Sequence, residues 1–93
     1  MSEPMEVAAE ATTPSTFVGI DVSKKKLDVC VMPGGALHAF DNAPLGHAKL
    51  VALGQSLGNP LLVLESTGGY ERPAMFALQE AGLTVALVNP RQV

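Results

Sequence analysis

The sequence has a single cysteine, Cys30, among its 93 residues. One thiol can form neither an internal disulfide framework nor a cysteine-built zinc site, and this usage suits a reducing cytoplasm. Long apolar runs are missing as well. A membrane span needs roughly 18 to 20 consecutive apolar residues, and no run approaches that length. Positive charge is scarce: six Lys and Arg stand against nine Asp and Glu, for a net charge of −3. A free-standing electrostatic nucleic-acid binder carries a basic stripe instead. A secretory signal is absent too, because the N-terminal stretch has no basic n-region and no apolar h-region. Its acids, Glu3, Glu6 and Glu10, also speak against a mitochondrial transit peptide.

What remains is 47% hydrophobic, with a mean hydropathy of +0.27. That is too apolar for a disordered chain. The length gives room for one small domain. Residues 1–16 have almost no large apolar side chain and read as a disordered tail, so the expected domain is 17–93.

Within it, Phe17 to Val22 is a short β-branched and aromatic run, the composition of a strand. Lys24, Lys25 and Lys26 make a solvated turn. Leu27 to Met32 alternates, with Leu27, Val29 and Val31 on one face and Asp28 on the other. Pro33-Gly34-Gly35 is a turn signal, and Ala36 to Asp41 a third strand. The period then changes. Leu50, Leu53 and Leu57 recur every three or four residues, which predicts a helix over Leu45 to Leu57. Gly54 within it costs about 1 kcal/mol relative to Ala. Gly58-Asn59-Pro60 ends the helix. Leu61 to Leu64 is a continuous apolar run, as expected of a strand buried on both faces. After the polar crest Glu65 to Gly69, a second helix is predicted from Tyr70 to Ala81, with Pro73 in its first turn and Gly82 at its C-terminal cap. Leu83 to Val88 is the last strand, ended by Asn89-Pro90.

The order strand, strand, strand, helix, strand, helix, strand predicts an α/β fold with a mixed sheet and helices packed on it. It is the element order of the ribonuclease H-like fold, and actin-like ATPases begin the same way. A flavodoxin or Rossmann domain would alternate from the start.

Asp21 and Glu65 are the candidate catalytic and metal-ligating residues. Each is the only acid of its apolar strand segment, where a carboxylate bears a desolvation cost unless a cation offsets it. On neighbouring strands, whose backbones lie about 4.8 Å apart, the two could converge on one ion. Carboxylate oxygens suit Mg²⁺ or Mn²⁺, and metal pairs can clamp the attacking and leaving oxygens of a phosphodiester. Purely structural roles also fit: Asp21 bonding turn amides near Ser23 and Lys24, Glu65 capping the second helix.

Phe17-Val18-Gly19-Ile20-Asp21-Val22-Ser23-Lys24 resembles the opening strand of the insertion-sequence-110 transposases, the DEDD, RuvC-like family associated with a bridge RNA. Leu64-Glu65-Ser66-Thr67-Gly68-Gly69-Tyr70-Glu71-Arg72-Pro73 resembles that family's second motif, and Val88-Asn89-Pro90-Arg91-Gln92-Val93 its third stretch. The resemblance spans 17–93. It implies that Asp21 is the first D of the tetrad and Glu65 the E. It further implies Mg²⁺ or Mn²⁺ as cofactor, DNA and a guide RNA as partners, and a homo-oligomer. The two later aspartates, and the domain with the nucleophilic serine, would lie beyond Val93. Asp28 and Asp41 belong to the early meander and do not replace them by motif. The expected function is therefore part of a DNA cleavage and strand-exchange site, truncated at the C-terminus and inactive alone. Two rivals remain: an actin-like phosphotransfer ATPase domain, whose Gly-Thr hairpin is not visible here, and a non-catalytic interaction module.

Other residues carry weaker signals. The lysine run, Arg72 and Arg91 are candidates for phosphate contact. Ser66 to Gly69 resembles a phosphate-accepting helix start, but has no P-loop lysine. Ser66 reads as a helix cap, His38 and His47 as surface residues, Tyr70 as a packing residue, and Cys30 as a small core residue. If the family's later elements are absent, one apolar sheet face is left open, and self-association is expected.

Overall fold

The computed structural model describes residues 15–66 and 68–88. They form β1 (Phe17–Val22), β2 (Lys26–Met32), β3 (Ala36–Asp41), α1 (Pro44–Ser56), β4 (Leu61–Glu65), α2 (Arg72–Glu80) and β5 (Thr84–Val88). The predicted tail, apart from its last two residues, and the stretch Asn89–Val93 lie outside the described residues, as does Thr67. The sheet has five strands in the order β3-β2-β1-β4-β5. β1, β2 and β3 pair antiparallel, whereas β4 pairs parallel with both β1 and β5. The mixed α/β sheet expected from the element order is thus present.

Strand alternation sets the core. Val18, Ile20 and Val22 of β1, Leu27, Val29 and Val31 of β2, and Leu62 and Leu64 of β4 are buried and share one face. Leu50 of α1 and Ala74 and Leu78 of α2 join them in a single cluster. The opposite face is different: Phe17, Met32 and Leu37 are exposed, and Leu61 and Val63 only half-buried. Among the described residues, β4 is therefore covered on one face, not two. A continuous apolar run reports hydrophobicity, and cannot say whether both sides of a strand are covered. Cys30 is a second correction. It follows the pleat onto the open face, half-buried, with its thiol 3.9 Å from the Met32 sulfur.

The connections follow from local chemistry. Gly34 and Gly35, both at positive φ, carry the β2–β3 turn. α1 starts with Pro44 in its first turn and continues through Gly54. There the missing side chain admits Leu83, whose Cδ1 would lie 2.9 Å from an added Cβ. Packing thus supports the helix where propensity opposes it. α2 ends in a Schellman motif: the Gly82 amide donates to the Gln79 carbonyl (3.0 Å) and the Leu83 amide to the Leu78 carbonyl (3.1 Å). Gly82 takes the left-handed conformation that this motif requires. No helix among the described residues is long and apolar enough to cross a membrane.

Candidate functional site

β1 and β4 are neighbours, and Asp21 is the register partner of Glu65 across their parallel ladder. Partners in a ladder point to the same face, so both carboxylates stand on the open side of the sheet. Both are exposed. Each sits at or near the C-terminal end of its strand, the end where open α/β sheets place their ligands. On the other side of β1, Asp28 is the antiparallel partner of Asp21. One row across the sheet therefore reads Asp28, Asp21, Glu65. Sequence motif set Asp28 apart from this pair; strand register puts it alongside.

The neighbouring row has Cys30, Gly19 and Val63 as partners. Gly19 has no side chain where its neighbours do, and a Cβ placed there would meet nothing closer than the Cys30 carbonyl oxygen at 4.0 Å. The result is an open depression of about 550 Å³, lined by Gly19, Cys30, Leu37 and Val63 and bordered by the three acids. The sequence did contain this signal, because a glycine inside a strand marks close approach of a ligand or another chain.

Oxygen donors of this kind suit a hard divalent cation. Asp21 and Glu65 fit such an ion as part of its ligand set. Among the described residues, no three Asp, Glu, His or Cys side chains come together closely enough to enclose one. Asp28 thus shares the row without completing a cage.

The lysine run divides. Lys26 forms an ion pair with Asp41 at 3.0 Å across β2 and β3, and this lysine holds the Asp41 carboxyl below the usual aspartate range. Lys24 and Lys25 are exposed in the turn two rungs beyond the acids. In that turn the Ser23 amide donates to the Lys26 carbonyl (3.0 Å) and the Lys26 amide to Ser23 Oγ (3.3 Å). The Ser23 amide is thus not left for Asp21. Arg72 is exposed at the start of α2, and Arg91 lies outside the described residues.

Ser66 does not cap α2. The N-cap is Glu71, with no side-chain cap hydrogen bond, and Ser66 Oγ is buried without a hydrogen-bond partner among the described residues. Glu65 is the last residue of β4, six residues before the N-cap of α2. Tyr70 is partly exposed, with its ring over Gly68. His38 is half-buried and stacks on Phe40 at 6.0 Å.

His47 is the clearest departure from expectation. It is buried in the first turns of α1, at 8% exposure, and burial holds its pKa below the ordinary histidine value. Its Nε2 lies 2.7 Å from Asn42 Oδ1, while Asn42 Nδ2 donates to the carbonyls of Ser23 (2.9 Å) and Tyr70 (3.1 Å). Nothing local in the sequence marks this network, because its members are brought together only by the fold.

Comparison with known proteins follows the same lines. The crystal structure of Pelota from Archaeoglobus fulgidus superposes with a TM-score of 0.59 at 15% identity, covering 92% of this chain and 30% of that one. That likeness concerns the fold alone, and this chain spans under a third of the Pelota chain. No curated protein matches the sequence significantly. A model of the insertion-sequence-110 DEDD family, described as a transposase, matches residues 18–93, which include β1 from its second residue, both carboxylates and every later element. The chain therefore belongs to the insertion-sequence-110 DEDD transposase family.

Proposed function

We propose that this chain supplies two carboxylates, Asp21 and Glu65, to a metal-dependent site for DNA cleavage and strand exchange. The sheet is read as the ribonuclease H-like, RuvC-like core of a transposase. The observation that carries this reading is the in-register pairing of Asp21 with Glu65 on adjacent parallel strands, on an exposed face, within the stretch that matches the family. Mg²⁺ or Mn²⁺, when bound, would polarise the scissile phosphate and acidify the attacking hydroxyl. Asp21 and Glu65 would hold that charge in place, as register partners on adjacent strands. The Gly19 depression leaves room beside them for a nucleic-acid backbone. DNA is the expected partner, with a guide RNA and further copies of the protein contributing in a transposase that contains this domain. Two carboxylates supply too few of the six or so ligands such an ion takes to hold it firmly, so this chain by itself binds the ion weakly and is catalytically silent.

The test is recombination by a transposase containing this domain, with Asp21→Asn and Glu65→Gln each introduced alone, alongside calorimetric titration with Mn²⁺. Loss of both strand exchange and Mn²⁺ heat in each variant supports the reading. Recombination and metal binding at the native level in both would refute it. A second reading, a non-catalytic interaction module, is favoured by one observation: the open face exposes Phe17, Met32 and Leu37. It predicts a stable mixed complex with an intact transposase, unaffected by Asp21→Asn.

A further inference from the structure

The strands that carry Asp21 and Glu65 are held together by the β1–β4 ladder, whose last register pair is Asp21 with Glu65 itself. That rung is the last of the ladder; β1 leads on to the turn at Ser23, and Tyr70 follows β4 five residues after Glu65. The Asn42 side chain links the two segments past the ladder. It lies between β3 and α1 and donates one amide hydrogen to the Ser23 carbonyl, two residues past Asp21, and the other to the Tyr70 carbonyl, five residues past Glu65. The Asn42 backbone amide also donates to the Lys25 carbonyl at 2.9 Å, which anchors the residue to the same turn.

The chemistry fixes how this clamp is oriented. Carbonyls only accept, so the amide nitrogen of Asn42 must face Ser23 and Tyr70, and Oδ1 must face His47. The His47 contact is then a donated Nε2–H, which sets the tautomer of the neutral ring. A buried histidine on a rigid helix thus aims an asparagine that ties together the loops following two carboxylates.

We propose that Asn42, oriented by His47, is a positioning residue that sets the spacing of Asp21 and Glu65 and so their joint affinity for a divalent cation. The proposal rests on the metal-binding reading above. Asparagine suits the role because it offers two donors and one acceptor on a short arm. Aspartate, of the same shape, has no donor for either carbonyl.

Substoichiometric Mn²⁺ with the 93-residue chain, followed by paramagnetic broadening of backbone amides, detects even a weak site. In the wild type, one titration is expected to broaden Asp21 and Glu65 together, and Asp21→Asn to abolish it. Asn42→Ala and Asn42→Asp are expected to weaken Mn²⁺ binding roughly tenfold, as supporting partners of metal ligands typically do. His47→Gln, whose side-chain amide can still donate to Oδ1, should retain more affinity than His47→Ala. Val31→Ala, at the far end of the same sheet, serves as a control that costs stability without touching the clamp. Native Mn²⁺ affinity in both Asn42 variants, with Asp21→Asn still abolishing it, overturns the clamp and leaves the metal reading intact. An equal loss in Val31→Ala overturns it too, because the effect would then be general loosening. Absence of broadening in the wild type removes the metal reading, and the clamp's role with it. Should the Asn42 variants fail to fold, the His47 pair decides: equal affinities in the Ala and Gln variants refute the proposal.

Discussion

Asp21 and Asp28 are direct cross-strand partners on β1 and β2, two carboxylates on one face of an antiparallel ladder. Like charges placed directly opposite destabilise a sheet. The pairing works against fold stability, and removing it should help the fold. Asp28→Asn is expected to raise the melting temperature by a few degrees at low ionic strength. The gain should shrink as salt screens the repulsion. A variant that melts lower than wild type in low salt would show that Asp28 has a stabilising partner.

Two glycines of α1 should respond to alanine in opposite ways. At Gly46, an added Cβ would collide with the backbone carbonyl of Asp41, which cannot move without distorting β3. Gly46→Ala is expected to cost about 1–3 kcal/mol, as overpacking does. At Gly54 the obstacle is the tip of the Leu83 side chain. That tip can shift, and alanine gains about 1 kcal/mol of helix propensity, so Gly54→Ala should be close to neutral. Chemical denaturation of both variants checks the contrast, and equal losses would contradict it.

Two groups give stability a pH dependence of known sign. His47 has a folded pKa below its ordinary value of 6.5, because burial disfavours the charged ring. The unfolded chain therefore binds the extra proton first. Stability from this group is complete above about pH 6.5 and falls as the pH drops from there toward the folded value. His47→Gln should flatten that part of the curve. Asp41 has its folded pKa lowered from 3.8, first by its hydrogen bond with Lys26. Its contribution is present above 3.8 and lost as the pH falls through the folded value. Lys26→Ala should abolish that lower step and leave the His47 step unchanged. Urea midpoints measured from pH 3 to 8 would separate the two.

Much of this could be read from residue order. β1 and β3 occupy the stretches their composition predicts, and Pro44, Gly58, Pro73 and Gly82 punctuate the helices where their backbone preferences require. Asp21 and Glu65 stood out as lone acids in apolar strands. Their in-register pairing did not, because register comes from which strands become neighbours. Cys30 and His47 depart from expectation for a related reason. Hydropathy places a thiol in a core and an imidazole on a surface, but the pleat turned Cys30 outward, and the polar partner Asn42 made burial of His47 tolerable. The Asn42 clamp joins residues from three connections, so no window of sequence contains it.

The Gly19 depression can be filled without harming the strand. An added Cβ at Gly19 meets only ordinary contacts, its neighbours across the sheet are Cys30 and Val63, and its φ is not positive. Gly19→Val should therefore fold and melt at or above the wild-type temperature, because glycine in a strand costs about 0.5–1 kcal/mol relative to alanine. If the depression admits a nucleic-acid backbone, the same variant should impair strand exchange in a complete transposase while its Mn²⁺ affinity stays near native. Native recombination by a stably folded Gly19→Val enzyme would show that nothing needs to enter there.

The open face predicts the solution behaviour of the chain on its own. Leu37 is 78% exposed and lies on the same face as the exposed Phe17 and Met32. Both helices pack on the other side, so among the described residues nothing shields these side chains from water. Contiguous apolar surface of this kind drives association. The 93-residue chain is expected to sediment as a concentration-dependent mixture of monomer and larger species. Leu37→Lys should shift it toward monomer without lowering the melting temperature, because Leu37 contributes little burial to the fold. Lysine there would also place a cation on the strand facing Cys30, one row from Asp28, which favours the folded variant further. A wild-type chain that stays monomeric at high concentration would mean that the exposed apolar side chains are too dispersed to form an interface.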